Sequence, residues 1–447
     1  MTPSYGAGDF RRRRKIVKLI HSIAYRSTAY PGAPVIPAGH AFPLNRQHAR
    51  DLLSLRTLPT LASLPPYVFS ELEQRKHAAR AAGHAFLDLG IGSPDQPTPA
   101  PIIEALREAA SASPTNSYPP FRGSDRLLTA ATRFMAQRFG VEFSPSREAV
   151  ALAGSKEGIA ELLAAICGPG DVVLAPALSY PVYVRAPLMH GAEVHLVPMD
   201  ATRGWQLELD SIPPATLQRA RVLIANFPNN PTGAVASLAH LSELVAFCDR
   251  HDIVLIHDLA YSELTYDGYV APSVFEVPGA ASVAVEFHSC SKSFNMAGMR
   301  VGFVVGRADA LDALLAYRAN IGYGVSMPVQ HAAAFALDNV RALMPPIVAE
   351  YRSRRDALYG ALQEHGWPVT APQAAMYAWL PLPDGIEPWD AVHRTLMEAQ
   401  VMITPGLAFG VAGARWFRLS LVAAADVLRD AAGRLTNVLG AVPAGAR

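Results

Sequence analysis

Seven short runs of β-branched and other apolar residues recur along the middle of the chain, and most of them lack polar alternation. A strand with one exposed face alternates polar and apolar residues, whereas a strand covered on both faces is apolar throughout. The runs are EAVALAG, DVVLAP, EVHLVPM, RVLIAN, DIVLIHD, SVAVEF and VGFVVG. Segments with helical apolar spacing, such as KEGIAELLAAI and LAHLSELVAFCDR, separate several of them. This alternation predicts an open, largely parallel α/β sheet covered by helices, over roughly residues 115 to 330.

The parts of the chain outside this sheet predict a smaller domain and an extension. Residues 1–54 contain FRRRRKIVKLIHSIAYRS, which is basic and amphipathic like targeting segments and membrane-surface helices, and PGAPVIPAG, which is typical of a linker. We interpret residues 1–54 as a flexible extension. Residues 101–335 are expected to form the large domain. Residues 336–447, in which helices alternate with the strand-like YAWLPL and WFRLSL, are expected to form a smaller α+β domain to which residues 55–100 contribute.

Composition excludes several classes of function. Thirty-nine basic and 38 acidic residues give a net charge of +1, so no nucleic-acid partner is expected. Three widely spaced cysteines indicate neither a disulfide framework nor a metal site, and they fit a reducing, cytoplasmic location. No apolar run approaches the length of a membrane span. The function is therefore expected to reside in a local site.

Polar side chains follow five of the predicted strands, at the edge where open α/β sheets bind ligands. Ser155 and Lys156 open a helix, whose free N–H groups can hold an anion such as phosphate. The complete set of strand-end residues is Ser155, Lys156, Tyr180, Asn229, Asn230, Asp258, Tyr261, Ser289, Ser291 and Lys292. It combines a phosphate nest, an aromatic ring, a carboxylate, a phenol, an amide and an amine. Pyridoxal phosphate needs this set, because it carries a phosphate, a flat pyridinium, a phenolate oxygen and an aldehyde that condenses with lysine.

Several motifs in fixed order carry a resemblance to a known family. They include LGIGSPDQPTP, GSKEGIA, NFPNNPTGAV, HDLAYSELTYDGY and VEFHSCSKSFNMAGMRVGF. From about residue 56 to its end, the chain resembles the class I/II aminotransferases of the fold-type I pyridoxal phosphate enzymes. Within that class it is most similar to the branch containing LL-diaminopimelate and alanine-type aminotransferases. The resemblance implies transfer of an amino group between an L-amino acid and a 2-oxo acid.

The resemblance also implies a role for individual residues. Lys292 would bind the cofactor aldehyde and move the substrate proton, while Asp258 would pair with the pyridine nitrogen. Asn230 and Tyr261 would hydrogen-bond the ring phenolate, and Tyr180 would stack on the ring. The residues implied to hold the phosphate are Gly154, Ser155, Lys156, Ser289 and Arg300.

Four further residues are implied by the same resemblance. Arg418 in WFRLSL matches the arginine that clamps the substrate α-carboxylate, and Gly92 brings backbone close to the same group. Tyr118 in YPPFRG matches a tyrosine that reaches the phosphate of a neighbouring subunit, which predicts a homodimer with shared sites. Arg122 stands where diaminopimelate enzymes usually carry a glutamate for the distal ammonium. We therefore expect a donor of the alanine or glutamate type, with LL-diaminopimelate as the alternative.

Other interpretations remain open on the sequence. Asp258 could cap a helix, Tyr183 could be core, and Arg418 could form a surface ion pair. The same cofactor could support elimination, decarboxylation or oxidation, since each begins from the same carbanion. An aminotransferase-like regulator of a DNA-binding module is a remote alternative, because the extension shows no helix-turn-helix pattern.

Overall fold

The computed structural model of the chain describes residues 58–62, 64–112 and 116–440, so the predicted extension lies outside the described residues. The strands are β1 Leu87–Asp88, β2 Ala149–Leu152, β3 Val172–Pro176, β4 Glu193–Val197, β5 Ala220–Asn226, β6 Val254–Asp258, β7 Ala284–Ser289, β8 Gly302–Gly306, β9 Tyr377–Pro381, β10 Val401–Met402, β11 Thr404–Pro405 and β12 Trp416–Ser420.

Helices separate most of these strands. They are α1 Pro59–Ala62, α2 Val68–Ala81, α3 Ala100–Ser111, α4 Asp125–Phe139, α5 Ser155–Ile166, α6 Val182–Met189, α7 Pro214–Leu217, α8 Leu238–His251, α9 Ala280–Val283, α10 Cys290–Ser293, α11 Ala308–Ile321, α12 Met327–Asp338, α13 Val340–Glu364, α14 Pro388–Met397 and α15 Ala425–Leu439.

The seven apolar runs form one seven-stranded sheet, as predicted. Its strand order is β2-β8-β7-β6-β5-β3-β4, and β8 alone runs in the direction opposite to the other six strands. Because β3, β5, β6 and β7 run in the same direction, the residues that follow them meet at one edge of the sheet. The sheet therefore gathers the polar strand-end residues.

Alternate residues of each central strand pack into different hydrophobic clusters on the two faces of the sheet. In β3, Val173 and Ala175 join the cluster that contains Leu162 of α5, whereas Val172 and Leu174 join the cluster on the other face. Burial on both faces explains the absence of polar alternation in the sequence. Strand β4 lies at the sheet edge and is only partly covered, with Glu193 and Leu196 exposed, which fits the polar residues of EVHLV.

Two smaller sheets complete the described chain. Strands β11, β12 and β9 form an antiparallel sheet, and β1 pairs in parallel with β10. YAWLPL and WFRLSL are thus strands, as predicted. The proposed domain boundaries remain a prediction, which the pairing of β1 from the 55–100 segment with β10 supports. No described helix has the length and apolarity needed to cross a membrane.

Candidate active site

A cavity of about 360 Å³ lies at the carboxyl edge of the parallel strands. All residues to which the resemblance assigns a role line it, except Tyr118 and Arg122. Among the strand-end residues, Asn229 does not line it. The lining residues come from strand ends, helix starts and the small antiparallel sheet, so sequence segments more than 300 residues apart, such as Gly92 and Arg418, meet here.

One end of the cavity is built to hold an anion. Gly154 precedes helix α5 with a φ of +99°, a conformation that favours glycine. A side chain at Gly154 would place its Cβ 2.5 Å from Nη2 of Arg300. The first N–H groups of α5, the guanidinium of Arg300 and the hydroxyl of Ser289 thus face one small space, which suits a phosphate.

Asp258, the last residue of β6, is buried at the floor of the cavity. Its Oδ2 accepts a hydrogen bond of 2.6 Å from the hydroxyl of Tyr183, while its Oδ1 is buried without a partner among the described residues. Burial raises the pKa of Asp258, and the Tyr183 hydrogen bond opposes that rise. The free oxygen is an acceptor that a ligand N–H can satisfy.

Lys292 lies in the short helix α10, directly after β7. Its Nζ donates a hydrogen bond to the carbonyl of Gly92. Burial lowers the pKa of Lys292, and the charges of Arg418 and Arg300 lower it further, against an opposing effect of Tyr377. A lysine with a lowered pKa is more often the neutral amine that nucleophilic and base chemistry require.

Arg418 is buried at 2% exposure, so the surface ion-pair alternative is wrong. Its Nη1 donates to Oδ1 of Asn230 at 3.0 Å, and its Nη2 donates to the carbonyl of Gly90 at 2.8 Å. Its Nε has no partner among the described residues. Because the amide oxygen of Asn230 accepts from Arg418, the Nδ2 hydrogens of Asn230 remain free to donate to a ligand in the cavity.

The phenol of Tyr261 contacts a second phenol. Its hydroxyl lies 2.9 Å from the hydroxyl of Tyr377, the first residue of β9. The guanidinium of Arg418 lies 4.3 Å from the centre of the Tyr377 ring. Burial raises the pKa of Tyr261, so its hydroxyl is protonated at neutral pH.

The mouth of the cavity carries both signs of charge. The ammonium of Lys156 lies 5.6 Å from the ring centre of Tyr180 and 5.8 Å from that of Tyr67. The carboxylate of Glu73, from helix α2, lines the same cavity. Glu73 pairs with the buried Lys76, which also bonds to Asp88 at 2.8 Å.

A buried carboxylate connects the strands behind the site. Glu286 of β7 accepts hydrogen bonds of 2.9 Å from each of His257 and His288, and of 2.8 Å from the hydroxyl of Ser273. Burial raises the pKa of Glu286, but the hydrogen bonds and charges of the two histidines together outweigh burial and bring the pKa to about 2. His257, which precedes Asp258, is therefore a scaffold residue.

Two predicted residues lie elsewhere. Arg122 bonds to Asp312 at 2.8 Å and to the backbone carbonyls of Arg147 and Ala149. Tyr118 is 78% exposed, and its ring stacks on that of Tyr323 at 4.2 Å. Neither side chain lines the cavity of its own chain.

Sequence reasoning missed several residues that line the cavity, and three of them, Tyr183, Tyr377 and Glu73, bear on its chemistry. Tyr183 was weighed as a packing residue, although its position three residues after Tyr180 was a usable signal. Tyr377 and Glu73 gave no signal, because a tyrosine in a strand and a glutamate in a helix are ordinary. Their roles depend on tertiary contacts across more than 100 residues, such as Tyr261 with Tyr377.

Comparison with known proteins identifies a family. The family model described as Aminotransferase class I and II matches residues 85–435. The chain is 40% identical over 378 residues to LL-diaminopimelate aminotransferase 2 of Trichormus variabilis, covering 84% of this chain and 97% of that protein. It is 42% identical over 382 residues to LL-diaminopimelate aminotransferase of Desulforudis audaxviator, and the match covers 86% of this chain and 97% of that protein.

Solved structures share the fold. Substrate-bound BacF from Bacillus subtilis superposes with a TM-score of 0.83 at 32% identity, covering 86% of this chain and 98% of that chain. The predicted α/β fold, with its mostly parallel seven-stranded sheet, is thereby confirmed.

Proposed function

The chain belongs to the class I and II aminotransferases, and from this premise we propose that it moves an amino group between LL-diaminopimelate and a 2-oxo acid. Aminotransferases of this class use pyridoxal 5′-phosphate. The relatives favour the diaminopimelate alternative over the alanine- or glutamate-type donor that Arg122 indicated. Arg122 is engaged with Asp312, so its charge gives no reason to reject a distal ammonium.

The residues of the cavity fit the cofactor. The unpartnered Oδ1 of Asp258 is an acceptor suited to the protonated ring nitrogen, and Tyr183 keeps that carboxylate oriented. Nδ2 of Asn230 and the hydroxyl of Tyr261 are donors suited to the phenolate oxygen. The ring of Tyr180 offers a stacking face. The phosphate would be held by the start of α5 together with Ser289 and Arg300.

Catalysis depends on what these residues hold and move. When bound, the cofactor supplies an electron sink for the negative charge that develops at the substrate α-carbon. Arg418 would bind the α-carboxylate by two parallel hydrogen bonds, which fixes the α-carbon relative to Lys292. Nζ of Lys292, with its lowered pKa, would accept the α-proton and return it.

One observation carries the choice of substrate: Glu73 and Lys156 bring opposite charges to the same cavity mouth. LL-diaminopimelate ends in a second ammonium and a second carboxylate, so its distal end needs both an acceptor and a cation. Alanine has no distal charged group that could contact Glu73 or Lys156. Glu73 is available for this contact because Lys76 also has Asp88 as a partner.

The proposal is tested by adding LL-diaminopimelate, alanine, glutamate or aspartate singly to the purified yellow protein. We expect LL-diaminopimelate to bleach the yellow absorbance at the lowest concentration, and a 2-oxo acid to restore it. Release of ammonia without restoration would instead indicate an eliminating enzyme. Bleaching by alanine or glutamate alone would overturn the substrate proposal and restore the alternative donor.

Variants locate the distal contacts. Glu73→Gln should raise KM for LL-diaminopimelate about tenfold, because roughly one charge-assisted hydrogen bond to the substrate is lost. Bleaching by a poor donor such as alanine should be unchanged. Glu71→Gln is the matched control, because Glu71 lies on the same helix and pairs with Arg75 away from the cavity. Equal effects of the two variants would contradict the contact.

The exposed Tyr118 supports a proposal for the assembly. Tyr118, Tyr323 and Phe121 form a stacked aromatic patch, with ring centres 4.2 and 5.4 Å apart and Tyr118 and Tyr323 more than half exposed. A second copy of the chain that covered this patch would form the expected homodimer. Tyr118 would then reach the phosphate end of the partner's site. The cytoplasmic location expected from the cysteine content remains a prediction.

A further inference from the structure

Tyr377 is a buried phenol of the active site that the sequence analysis assigned no role. It begins strand β9, is 2% exposed and lines the cavity. Its ring is inclined by 76° to that of Tyr261, with 5.6 Å between ring centres. Its hydroxyl has one hydrogen-bond partner in the described part of the chain, the hydroxyl of Tyr261 at 2.9 Å.

The direction of this hydrogen bond decides what Tyr261 can do. A phenol has one hydrogen to donate, so a Tyr261 that donates to Tyr377 offers only lone pairs to the cavity. A Tyr261 that accepts from Tyr377 keeps its own hydrogen for a ligand. An anionic oxygen in the cavity is a stronger acceptor than a neutral phenol, because charge-assisted hydrogen bonds are about twice as strong as neutral ones. With a phenolate present, Tyr377 is therefore the donor and Tyr261 the relay.

Packing holds Tyr377 in place independently of any ligand. Strand pairing sets Tyr377 opposite Ser420 of β12, two residues from Arg418. The guanidinium of Arg418 lies over the ring at 4.3 Å. At Gly92, a Cβ would lie 2.4 Å from the Tyr377 hydroxyl, so only glycine leaves room for it. The same ring thus touches the group that would bind the substrate carboxylate and the phenol that would bind the cofactor.

We propose that Tyr377 is a positioning residue that directs the hydroxyl hydrogen of Tyr261 into the cavity and so sets how strongly Tyr261 holds the phenolate oxygen of the cofactor. The proposal rests on the cofactor, not on the identity of the amino donor. A hydrogen bond donated by Tyr261 would stabilise the negative charge on the phenolate oxygen and so would lower the pH at which the bound cofactor loses its proton. Loss of the bond therefore raises the pH at which the bound cofactor changes colour.

The test is a pH titration of the absorbance of the holoenzyme, without any amino acid. Tyr377→Phe removes only the hydroxyl and keeps the ring over Arg418. We expect the absorbance pKa to rise by roughly 0.3 to 1 unit in Tyr377→Phe, the size of one ordinary hydrogen bond, and by at least as much in Tyr261→Phe. In the Tyr261→Phe background, Tyr377→Phe should add no further shift, because its effect passes through Tyr261.

Tyr266→Phe is the matched control. Tyr266 is equally buried, and its hydroxyl donates to the carbonyl of Ala375 at 2.6 Å, but it does not line the cavity. This variant should lose stability without moving the absorbance pKa. The proposal is overturned if Tyr377→Phe leaves that pKa unchanged, or if its shift persists in full when Tyr261 is already Phe. Because no donor is present, failure of the substrate proposal would leave this titration unaffected.

Discussion

At the residue scale, Arg418 is a buried cation kept ready for a carboxylate. Its Nη atoms bond to Asn230 and Gly90, and its faces contact the rings of Tyr377 and Phe409 at 4.3 and 4.8 Å. These contacts orient a planar fork, which a lysine cannot reproduce. Arg418→Lys keeps the charge but loses the two-point contact.

We expect Arg418→Lys to lower kcat/KM about 30- to 150-fold, which corresponds to about 2–3 kcal/mol for lost charge-assisted hydrogen bonds. Steady-state kinetics with the best amino donor measure the loss. Arg415→Lys is the control, since Arg415 is exposed and pairs with Asp384 outside the cavity. Near-normal kcat/KM in Arg418→Lys would mean that the α-carboxylate binds elsewhere.

Residues in fixed local motifs could be predicted, whereas residues that act through tertiary contacts could not. Lys292 and Asp258 follow buried strands that the apolar runs reveal, and both line the cavity. Tyr377 lies in a strand whose sequence gives no sign of its contact with Tyr261. The sequence shows that residue 122 is an arginine, but it does not show that the Arg122 guanidinium is already paired with Asp312.

At the element scale, the turn from β2 into helix α5 determines how the anion site is formed. Gly154 makes this turn with positive φ and lies against Arg300. Gly154→Ala adds backbone strain and a Cβ that displaces the guanidinium. We expect affinity for the cofactor to fall about 5- to 150-fold, which corresponds to a combined cost of roughly 1–3 kcal/mol. Absorbance titration of cofactor-depleted protein measures it.

Gly170 provides the control for backbone strain alone. Its φ of +97° nearly equals that of Gly154, but a Cβ there would meet nothing within 4 Å. Gly170→Ala should therefore lower the thermal unfolding temperature without weakening cofactor binding. If both variants bind the cofactor equally well, the contact of Gly154 with Arg300 has no part in holding the phosphate.

The positions of the buried strands could be predicted because a strand that is buried on both faces consists almost entirely of apolar residues. Strands such as β3 and β8 are buried on both faces and read as continuous apolar runs, while β4, which is only partly covered, retains polar residues. The sequence could not give the order β2-β8-β7-β6-β5-β3-β4, since order depends on crossover connections rather than on any one strand. Prediction of the site at the strand ends required only that the strands run in the same direction, not that their order be known.

At the scale of the whole molecule, the aromatic patch of Tyr118, Phe121 and Tyr323 links assembly to activity. Stacked rings that remain largely exposed in a single chain are costly to leave in water and are typical of interfaces. We expect Tyr118→Ser combined with Tyr323→Ser to weaken the proposed dimer at least about 100-fold, roughly 2.7 kcal/mol for two lost aromatic anchors. Sedimentation over a range of concentrations measures the dissociation constant.

A control variant and a second measurement distinguish an effect on dimer formation from an effect on the active site. Val411→Ser removes a side chain that is also 78% exposed but lies outside the patch, and should leave the dimer intact. If Tyr118 reaches the partner's site, Tyr118→Phe should preserve the dimer yet lower cofactor affinity, because only the hydroxyl is lost. A monomeric parent protein with full activity would contradict the shared site. A dimer that tolerates the double serine variant would show that two copies meet through another surface.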